Sequence, residues 1–367
     1  MKKRKEPIRI LNIVPNMRAA GIETFIMNIY RNIDRENIQF DFLVHNKKKE
    51  FYDDEIEKLG GKIYRLSFKD DKNIFKYIKN LITFFKMHKE YKIVHGHMQS
   101  MMPLYLMVAK KSGVKIRIAH SHNGSYEKTI KGFILHLFSR LSKFYSTNNI
   151  ACSKIAGEYL FGKKQFDIIY NGVEIEKFKF NNKIRENKKK ELGIGKNLII
   201  LLHVGRFELQ KNHDFLIEVF EKYNRINKNS MLLLAGEGKF EDKIREKVKE
   251  KKLDRNVKFL GVRNDINEIM QASDIFLLPS LYEGFPVVGV EAQCAGLKCL
   301  FSSNISNEIK ILDDSVFIDI DNINKWVNEL ETCKISNRKE KIDDKFNIKK
   351  IAKDLEERYL NMLSKIQ

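Results

Sequence analysis

Short apolar segments alternate with longer amphipathic segments along most of the chain. The apolar run at residues 8–14 predicts a first strand, and the apolar spacing at 22–33 predicts an amphipathic helix after it. Further short apolar segments of the first half lie at 40–44, 62–66, 93–95, 116–119, 150–151 and 168–169. Strands separated by helix-length stretches are typical of a parallel sheet with crossover helices. The first half is therefore predicted to be an α/β domain.

A charged tract interrupts this alternation near the middle of the chain. Residues 181–191 are rich in Lys, Asn and Glu and offer little to bury, and Gly193 and Gly195 close the tract. We therefore predict a linker at 181–196. The alternation then restarts, with predicted strands at 198–204, 230–235, 257–260, 275–278 and 298–301, and helices at 213–226 and 239–250 among the gaps.

The last residues carry a helical pattern of their own. Ile351, Leu355 and Tyr359 repeat at helical spacing within 346–366, which predicts a C-terminal helix over 346–367 that crosses back to the first domain. The predicted fold class is thus α/β, with two Rossmann-like, doubly wound domains at 1–180 and 197–345. Such domains in tandem should form a cleft between the carboxyl ends of their strands.

The stretch after the strand predicted at 275–278 combines a turn, a helix start and two acids. Gly284 permits a tight turn, and Pro286 stands where a first helical residue belongs. Glu283 lies in the turn, where it could equally be a solvated acid near a helix N-terminus. Glu291 lies within a helix of small apolar residues, and a carboxylate buried there needs a partner.

Composition narrows the class of protein without selecting a partner. At 367 residues the chain is long enough for two cores, and its formal net charge of +20 attracts polyanions. Lys, Asn and Ile are all abundant, a joint bias that genome composition can produce. A basic surface that is merely solvated therefore accounts for the net charge equally well. The four cysteines lack the paired spacing of a zinc site or a disulfide framework. The first apolar run contains Arg9 and Asn12 and is too short for a signal or membrane helix, so we expect a cytoplasmic protein.

A series of short motifs carries a family resemblance. The motifs of the second half are Leu202-His-Val-Gly-Arg206, Lys211-Asn-His213, Leu234-Ala-Gly-Glu-Gly238, Phe259-Leu-Gly-Val-Arg263 and Glu283-Gly-Phe-Pro286 through Glu291. With Gly21-Ile-Glu-Thr24 and Ala119-His-Ser-His-Asn123, the chain resembles glycosyltransferase family 4, retaining GT-B enzymes that use sugar nucleotides, and within it the subset that builds bacterial capsular and exopolysaccharides. The two glutamates eight positions apart are the most specific element. Ala20 departs from the pattern, because these enzymes usually have the first of two glycines there.

The resemblance implies a site for the donor. Departure of a nucleoside diphosphate requires cations or N–H dipoles, and Arg206 and Lys211 would hold it in place of a metal. The helix start would add free N–H groups. Glu283 would bind hydroxyl groups of the donor sugar and Glu291 those of the ribose. Further positions expected to contact the donor are Gly21, His120, Gly236, Val262, Arg263, Gly284, Phe285 and Pro286. No metal and no cofactor beyond the sugar nucleotide are expected.

A histidine pair follows the strand predicted at 116–119. His120 and His122 would share a face in an extended segment, and a histidine in such a place is more often structural than catalytic. Family members carry a histidine in this loop that contacts the donor sugar; His122 aligns best and His120 is the alternative. The expected catalytic residues are His122, Glu283, Arg206 and Lys211. Because no carboxylate nucleophile stands out, the resemblance implies a front-face route in which the leaving diphosphate helps to deprotonate the acceptor.

Two other motif matches are weak. Asp319-Ile-Asp321 fits the D-x-D of metal-using transferases, but three letters recur by chance. Gly236-Glu-Gly238 begins a dinucleotide fingerprint, but Glu241 stands where its third glycine belongs. A nicotinamide cofactor is therefore not expected.

Two segments of the first half bear on the acceptor. Residues 75–86 and 131–144 mix aromatic, aliphatic and basic residues, as interfacial helices do, although ordinary helices packed on a sheet fit equally well. Because GT-B enzymes take the acceptor in this half, we predict a polyprenyl-diphosphate-linked saccharide at the inner face of the plasma membrane. It would receive a hexose or N-acetylhexosamine from a UDP-sugar.

Three other functions compete with that of a glycosyltransferase: nucleic-acid binding, a non-catalytic partner subunit and a sugar-nucleotide epimerase. No nucleic-acid recognition motif accompanies the positive charge, so nucleic acid is not an expected partner. A non-catalytic partner subunit would tend to lose donor contacts, and Arg206, Lys211, Glu283 and Glu291 are all present. A GT-B sugar-nucleotide epimerase is the remaining alternative among enzymes.

Overall fold

The structure is a computed structural model that describes residues 6–18, 20–66, 73–124, 129–195, 197–333, 338 and 344–366. The chain folds as two compact units. The first consists of Met1–Gly172 with Asn347–Gln367, and the second of Val173–Phe346. Lys196 and Gln367, at the ends of the predicted linker and C-terminal helix, lie outside the described residues.

The first unit is built on a parallel sheet. Its strands are β1 Ile8–Val14, β2 Ile38–Val44, β3 Ile63–Arg65, β4 Ile93–Gly96, β5 Ile116–Ser121, β6 Asn148–Ala151 and β7 Asp167–Ile168. Its helices up to this point are α1 Gly21–Asn32, α2 Asp53–Lys58, α3 Ile74–Met87, α4 Met102–Lys111, α5 Ile130–Ser139 and α6 Lys154–Phe161. The strand order β3-β2-β1-β4-β5-β6-β7 reverses between β1 and β4. At such a reversal, the carboxyl ends of the strands form a crevice that binds ligands.

The second unit repeats this plan. Its helices are α7 Ile175–Phe178, α8 Asn182–Glu191, α9 His213–Ile226, α10 Glu241–Glu250, α11 Ile266–Ala272, α12 Val287–Cys294 and α13 Ile323–Glu331. Its strands are β8 Ile199–Val204, β9 Ser230–Ala235, β10 Val257–Gly261, β11 Ile275–Leu278, β12 Lys298–Ser302 and β13 Val316–Ile318. They pair in parallel in the order β10-β9-β8-β11-β12-β13, with the reversal between β8 and β11. The prediction of two doubly wound α/β domains is confirmed.

The last helix, α14 Ile348–Ser364, belongs to the first unit. Its apolar positions lie on one face, so Ile351, Leu355 and Tyr359 are buried in the core that also contains residues of α1. The Tyr359 ring meets Phe40 of β2 edge to face, with 6.1 Å between ring centroids. The end of the chain therefore completes the core of the unit in which it begins.

The segment predicted as a linker contains helix α8, which packs in the second unit against α11. Asn181 caps the helix, accepting hydrogen bonds from the backbone N–H groups of Lys183 and Ile184. Arg185 donates to three consecutive backbone carbonyl groups at the end of α11, the last of them that of Ser273, and pairs with Asp274 at 2.6 Å. Polar contacts rather than apolar burial fix this helix. A pattern search based on hydrophobic spacing has no signal for it.

Helix α12 begins one residue later than the sequence suggests. Val287 is its first residue, and Pro286 precedes it as the capping residue with extended backbone angles of φ −74° and ψ 99°. Gly289, Val290 and Ala292 are buried, so the small apolar face of the helix lies against the protein interior.

Candidate functional site

A carboxylate and an ammonium group meet where β8 and β11 end. Lys211 Nζ lies 2.6 Å from Glu283 Oε1, and the buried Ser280 hydroxyl donates to the same oxygen at 2.8 Å. Gln210 Nε2 donates to the other oxygen at 3.3 Å. Only 16% of the Lys211 side chain and 10% of the Glu283 side chain are exposed. Three donors from the protein thus fix the orientation of this carboxylate.

The loops that carry this pair are tied to each other by backbone contacts. Asn212 adopts left-handed backbone angles (φ 55°), and its side-chain amide donates to the Pro279 carbonyl at 3.2 Å. The Leu281 N–H donates to the Gln210 carbonyl at 2.8 Å. Asn tolerates the left-handed region better than most residues. The local conformation at Asn212 therefore brings Lys211 beside a glutamate 72 positions away in the sequence.

The loop after β9 approaches the end of β8 so closely that it requires glycine. Gly236 has φ 138°, and a Cβ atom there would lie 2.2 Å from the Gly205 carbonyl oxygen. A Cβ at Gly238 would lie 2.6 Å from the Phe207 carbonyl oxygen. Arg206, between these contacts, is exposed, and its guanidinium has no hydrogen bond or ion pair with any residue that the structure describes. A cation that no described residue pairs with thus lies just past the carboxyl end of β8.

Glu291 is a partly buried carboxylate in the middle of α12. Within the described ranges no donor hydrogen-bonds to its side-chain oxygens and no cation pairs with them. Burial raises the pKa of Glu291 to about 7, and the positive charge of Lys177 lowers the pKa by a smaller amount. A carboxylate in this position is stabilised by any ligand that brings hydroxyl donors to it.

Arg263 is occupied by contacts inside the second unit. Its guanidinium donates to Asp265 at 2.7 and 2.5 Å and to Glu191 at 3.3 Å, while the neighbouring Val262 is 60% exposed. Lys188 adds contacts of 2.6 to 2.8 Å with Glu191, Asp265 and Glu268. These three carboxylates are close enough to suit a metal ion, but cations of the protein already lie among them. Arg263, one of the expected donor contacts, is therefore bound to Glu191 of α8 and to Asp265, which directly precedes α11.

The other expected donor contacts lie at element ends. Phe285 is buried, and its ring lies 5.9 Å from that of Phe346. Gly284 precedes it in the loop between β11 and α12. Gly21 is the first residue of α1, and a Cβ there would meet nothing within 4 Å, so the approach to this helix start is open.

Four buried histidines lie at the carboxyl ends of β4 and β5 in the first unit: His95, His97, His120 and His122. The ring centroids of His120 and His122 are 4.1 Å apart, and those of His95 and His97 are 4.2 Å apart. Desolvation lowers the pKa of all four, and the pKa values of His95 and His122 fall to about 3. The four imidazoles are therefore neutral near pH 7.

Two hydrogen-bonded chains run through this cluster. In one, the Tyr359 hydroxyl lies 2.6 Å from His95 Nδ1, and His95 Nε2 lies 3.2 Å from His120 Nδ1. His95, His97 and His120 also offer nitrogen atoms within 4.8 Å of one another, a ligand set that suits a metal ion by type. Both nitrogens of His95, however, already have hydrogen-bond partners.

In the other chain, Asn12 Oδ1 of β1 lies 3.2 Å from His97 Nε2, and His97 Nδ1 lies 2.9 Å from His122 Nε2. The far ends of both chains, His120 Nε2 and His122 Nδ1, are buried without a hydrogen-bond partner among the residues described. Sequence reasoning found His120 and His122 but missed His97 and Asn12. The pattern His95-Gly-His97, which begins at the last residue of the strand predicted at 93–95, was the available signal for His97.

Helix α5 and the turn after it carry apolar side chains that the protein leaves exposed. The exposed fractions are 82% for Ile130, 47% for Phe133, 58% for Ile134, 49% for Leu137, 43% for Leu141 and 65% for Phe144. We call these six residues the α5 surface; Lys131, Arg140 and Lys143 lie among them in the sequence. Helix α3 instead buries Tyr77, Leu81, Phe84 and Phe85. The sequence left open whether these segments form interfacial helices or helices packed on the sheet. In the structure, α3 is packed and the apolar side chains of α5 are exposed. In the described part of the chain, no helix combines the length and apolar character needed to span a bilayer.

Two protein families match the chain. Glycosyl transferases group 1 matches residues 184–347, and Glycosyltransferase Family 4 matches residues 19–177. The putative glycosyltransferase EpsF of Bacillus subtilis is 33% identical over 309 residues, which cover 82% of this chain and 80% of that relative. The capsular polysaccharide biosynthesis glycosyltransferase CapH of Staphylococcus aureus is 28% identical, with 96% of this chain and 99% of CapH covered.

A third relative and two solved structures extend the comparison. The Escherichia coli relative is named UDP-Gal:alpha-D-GlcNAc-diphosphoundecaprenol alpha-1,3-galactosyltransferase; it is 28% identical, with 79% of this chain and 81% of the relative covered. Anabaena HepE in complex with UDP and glucose has a TM-score of 0.79 at 17% identity, covering 96% of this chain and all of HepE. Sucrose-phosphate synthase of Thermosynechococcus elongatus has a TM-score of 0.77 at 16% identity, covering 97% of this chain and 99% of that enzyme. At such low identity these structures show similarity of fold.

Proposed function

The chain belongs to glycosyltransferase family 4, and on this premise we propose that it moves a hexose or N-acetylhexosamine from a UDP-sugar to a lipid-linked saccharide in surface polysaccharide synthesis. The observation that carries the proposal is the set of groups at the strand-order reversal of the second sheet. There the protein positions Glu283 with three donors, and the Arg206 guanidinium has no partner among the residues that the structure describes.

We assign the diphosphate of the donor to Arg206 and Lys211. An exposed guanidinium can form two parallel hydrogen bonds to a phosphate, and Lys211, in the loop that follows, is held in place by its ion pair with Glu283. Helix α12 contributes free N–H groups from its first turn, whose partial positive charge favours an anion. These groups would stabilise the charge that develops on the departing diphosphate.

The remaining donor contacts follow from unsatisfied polar groups. Glu291 has no hydrogen-bond donor within the described part of the chain and would accept hydrogen bonds from ribose hydroxyl groups. The buried His122 Nδ1, which lacks a partner in the described structure, would contact a hydroxyl group of the donor sugar, with His120 as the alternative. Of the other assigned positions, Gly236 permits close backbone approach, while Arg263 would first have to leave Asp265.

The hydrogen bonds of Glu283 are consistent with a reaction that retains the anomeric configuration without a protein nucleophile. A carboxylate that accepts hydrogen bonds from Lys211, Ser280 and Gln210 has lone pairs engaged and is held in one orientation by the protein, so it is not free to attack the sugar. We therefore assign Glu283 to binding of the donor sugar. The leaving diphosphate would take the proton of the acceptor hydroxyl, and no metal is assigned to the reaction.

The α5 surface supports a membrane-associated acceptor. Exposed apolar side chains flanked by Lys131, Arg140 and Lys143 are suited to the interface of an anionic bilayer. The name of the E. coli relative states a diphosphoundecaprenol-linked acceptor for that enzyme. We propose the same acceptor class here and a position at the inner face of the plasma membrane.

One experiment tests the transfer reaction against its alternatives. The purified chain is incubated with a panel of UDP-sugars, with and without a synthetic polyprenyl-diphosphate-linked N-acetylhexosamine, and UDP and products are measured. Transfer requires release of UDP that depends on the acceptor. Conversion of the UDP-sugar without acceptor would instead identify an epimerase. If neither reaction occurs and no UDP-sugar raises the melting temperature of the protein, the results favour a non-catalytic subunit.

A further inference from the structure

The direction of the hydrogen bonds from Asn12 to His122 follows from the orientation of the Asn12 amide, whose Oδ1 faces His97 while its Nδ2 is buried without a partner among the described residues. An amide oxygen can only accept, so His97 Nε2, 3.2 Å from Asn12 Oδ1, carries a proton. His97 is buried and neutral, and its other nitrogen is then an acceptor. His122 Nε2, 2.9 Å from that nitrogen, must therefore donate. Because His122 is neutral as well, its Nδ1 is left without a proton.

We infer that Asn12 and His97 are positioning residues that hold His122 in the tautomer with an unprotonated Nδ1, which accepts a hydrogen bond from a hydroxyl group of the bound sugar. This inference rests on the proposed function, which supplies a ligand rich in hydroxyl groups. His122 is 5% exposed and Nδ1 has no partner among the described residues, so the atom is a buried acceptor that a ligand can satisfy.

The neighbouring chain shows why the inference concerns His122 rather than His120. That chain ends at the Tyr359 hydroxyl, which can either donate to His95 Nδ1 or accept from it. The proton of His120 is therefore not fixed by its partners. Only the chain that ends at Asn12 specifies which nitrogen of the last histidine is bare.

Imidazole 15N spectra of the full-length protein without ligand, at pH 8, test the tautomer directly. The signals of His122 are identified by their loss in His122→Gln. We expect a protonated Nε2 and an unprotonated Nδ1 in the wild type, and a mixture of both tautomers in Asn12→Leu. A protonated Nδ1 in the wild type, or unchanged His122 signals in Asn12→Leu, would overturn the inference.

Two further variants distinguish loss of the hydrogen bonds between Asn12, His97 and His122 from general damage to the fold. Asn149→Leu removes a buried asparagine of β6 that bonds Ser146 and the Gln165 carbonyl, and it should leave the His122 signals unchanged. Asn12→Asp keeps only acceptor oxygens beside His97, as the aspartate of a catalytic triad does, and it should keep the wild-type tautomer. If Asn12→Leu does not fold, the inference is decided by the wild type and Asn12→Asp.

Binding of UDP and of UDP-glucose, measured by calorimetry, tests the consequence for the ligand. We expect Asn12→Leu to weaken UDP-glucose binding by about tenfold and to leave UDP binding unchanged, since one hydrogen bond to the sugar is lost. Equal weakening of both ligands would contradict the role. Failure of the wild type to bind either ligand would count against the proposed UDP-sugar donor, while the spectra would still decide the tautomer.

Discussion

At the scale of single residues, Glu283 is the group on which the proposed donor site is centred. Its carboxylate accepts from Lys211, Ser280 and Gln210, so its orientation is set before any ligand binds. The short motifs of the sequence identified Glu283, Lys211 and Arg206, but not the donors Ser280 and Gln210. The contact of Ser280 is local to the turn that contains Glu283, while that of Gln210 comes from the loop fixed at Asn212, and the hydrophobic pattern carries no signal for either.

The first prediction concerns Glu283→Gln. The amide removes the charge that orients Lys211, so we expect transfer to slow roughly a hundredfold or more, as when one fixed electrostatic contact to a transition state is lost. Initial rates with a UDP-sugar and the lipid-linked acceptor measure this. No glycosylated Glu283 peptide should be found by mass spectrometry in the wild type.

The matched control is Glu221→Gln. Glu221 also accepts from a lysine at 2.6 Å, that of Lys251, and 15% of its side chain is exposed, but it lies on α9 away from the strand ends. Its rate should stay near that of the wild type. Equal losses in both variants would show that Glu283 acts through stability alone.

The second prediction concerns the pH dependence of Glu291. Burial raises its folded pKa to about 7, above the unfolded value, so the folded state binds the extra proton and stability decreases as pH rises through this range. Glu291→Gln should therefore stabilise the ligand-free protein by roughly 1 to 3 kcal/mol more at pH 8 than at pH 5. Thermal unfolding at both pH values measures the difference. A gain that does not change with pH would show that Glu291 is not the titrating group.

At the scale of elements, the two helices that mix aromatic and basic residues have different fates. Helix α3 buries Tyr77 and Leu81, whereas α5 leaves Ile134 and Leu137 exposed. Their composition alone is similar, because both contain phenylalanine, leucine, isoleucine and lysine. Only the packing of neighbouring elements decides which of the two finds a place in the core. The charged helix α8 shows the same limit, since its anchors are carbonyl groups and acids from α11 and its surroundings.

The third prediction concerns the α5 surface. Ile134→Glu places a negative charge within it and should abolish most flotation of the protein with anionic vesicles at low salt. Ile226→Glu is the matched control, because Ile226 is also 58% exposed but lies at the end of α9 in the second unit. Loss of flotation in both variants, or no flotation of the wild type at low salt, would reject this surface as the membrane contact.

At the scale of the whole molecule, buried histidines make the stability sensitive to acid. His95 and His122 have folded pKa values near 3 because burial disfavours their charged forms, whereas the unfolded value is about 6.5. Their contribution to stability is therefore complete above pH 6.5 and is lost as pH falls toward 3. Glu291 acts in the opposite direction between its unfolded and folded pKa values.

The fourth prediction follows from this opposition. In a Glu291→Gln background, the free energy of unfolding should fall between pH 7 and pH 5.5, with roughly 1 kcal/mol of the loss due to each fully buried histidine. Adding His122→Gln should reduce the loss by about that amount, because glutamine does not titrate. Urea unfolding curves at the two pH values measure it. An unchanged pH dependence would mean that His122 is not buried as neutral imidazole.

The sequence by itself determined the class of fold, most element positions and the family. Hydrophobic runs of strand length recur between helix-length segments, and this periodicity is visible in the sequence without knowledge of any tertiary contact. It also pointed to Arg206, Lys211, Glu283, Glu291 and the pair His120 and His122. Tertiary structure decided which of these groups are already satisfied by the protein and which are not. Arg263 is paired, whereas the carboxylate of Glu291 has no partner in the described residues.

The hydrogen bonds from Asn12 through His97 to His122 show most clearly why the sequence alone could not determine these contacts. Asn12 lies on β1, and His97 and His122 directly follow β4 and β5. Strand pairing brings these three strands side by side, so the hydrogen bonds span 85 and 25 positions of sequence. Periodicity reports whether a side chain faces the interior, but not which side chain it meets there. The protonation of one nitrogen atom therefore depends on the order of strands in the sheet, which only the folded chain defines.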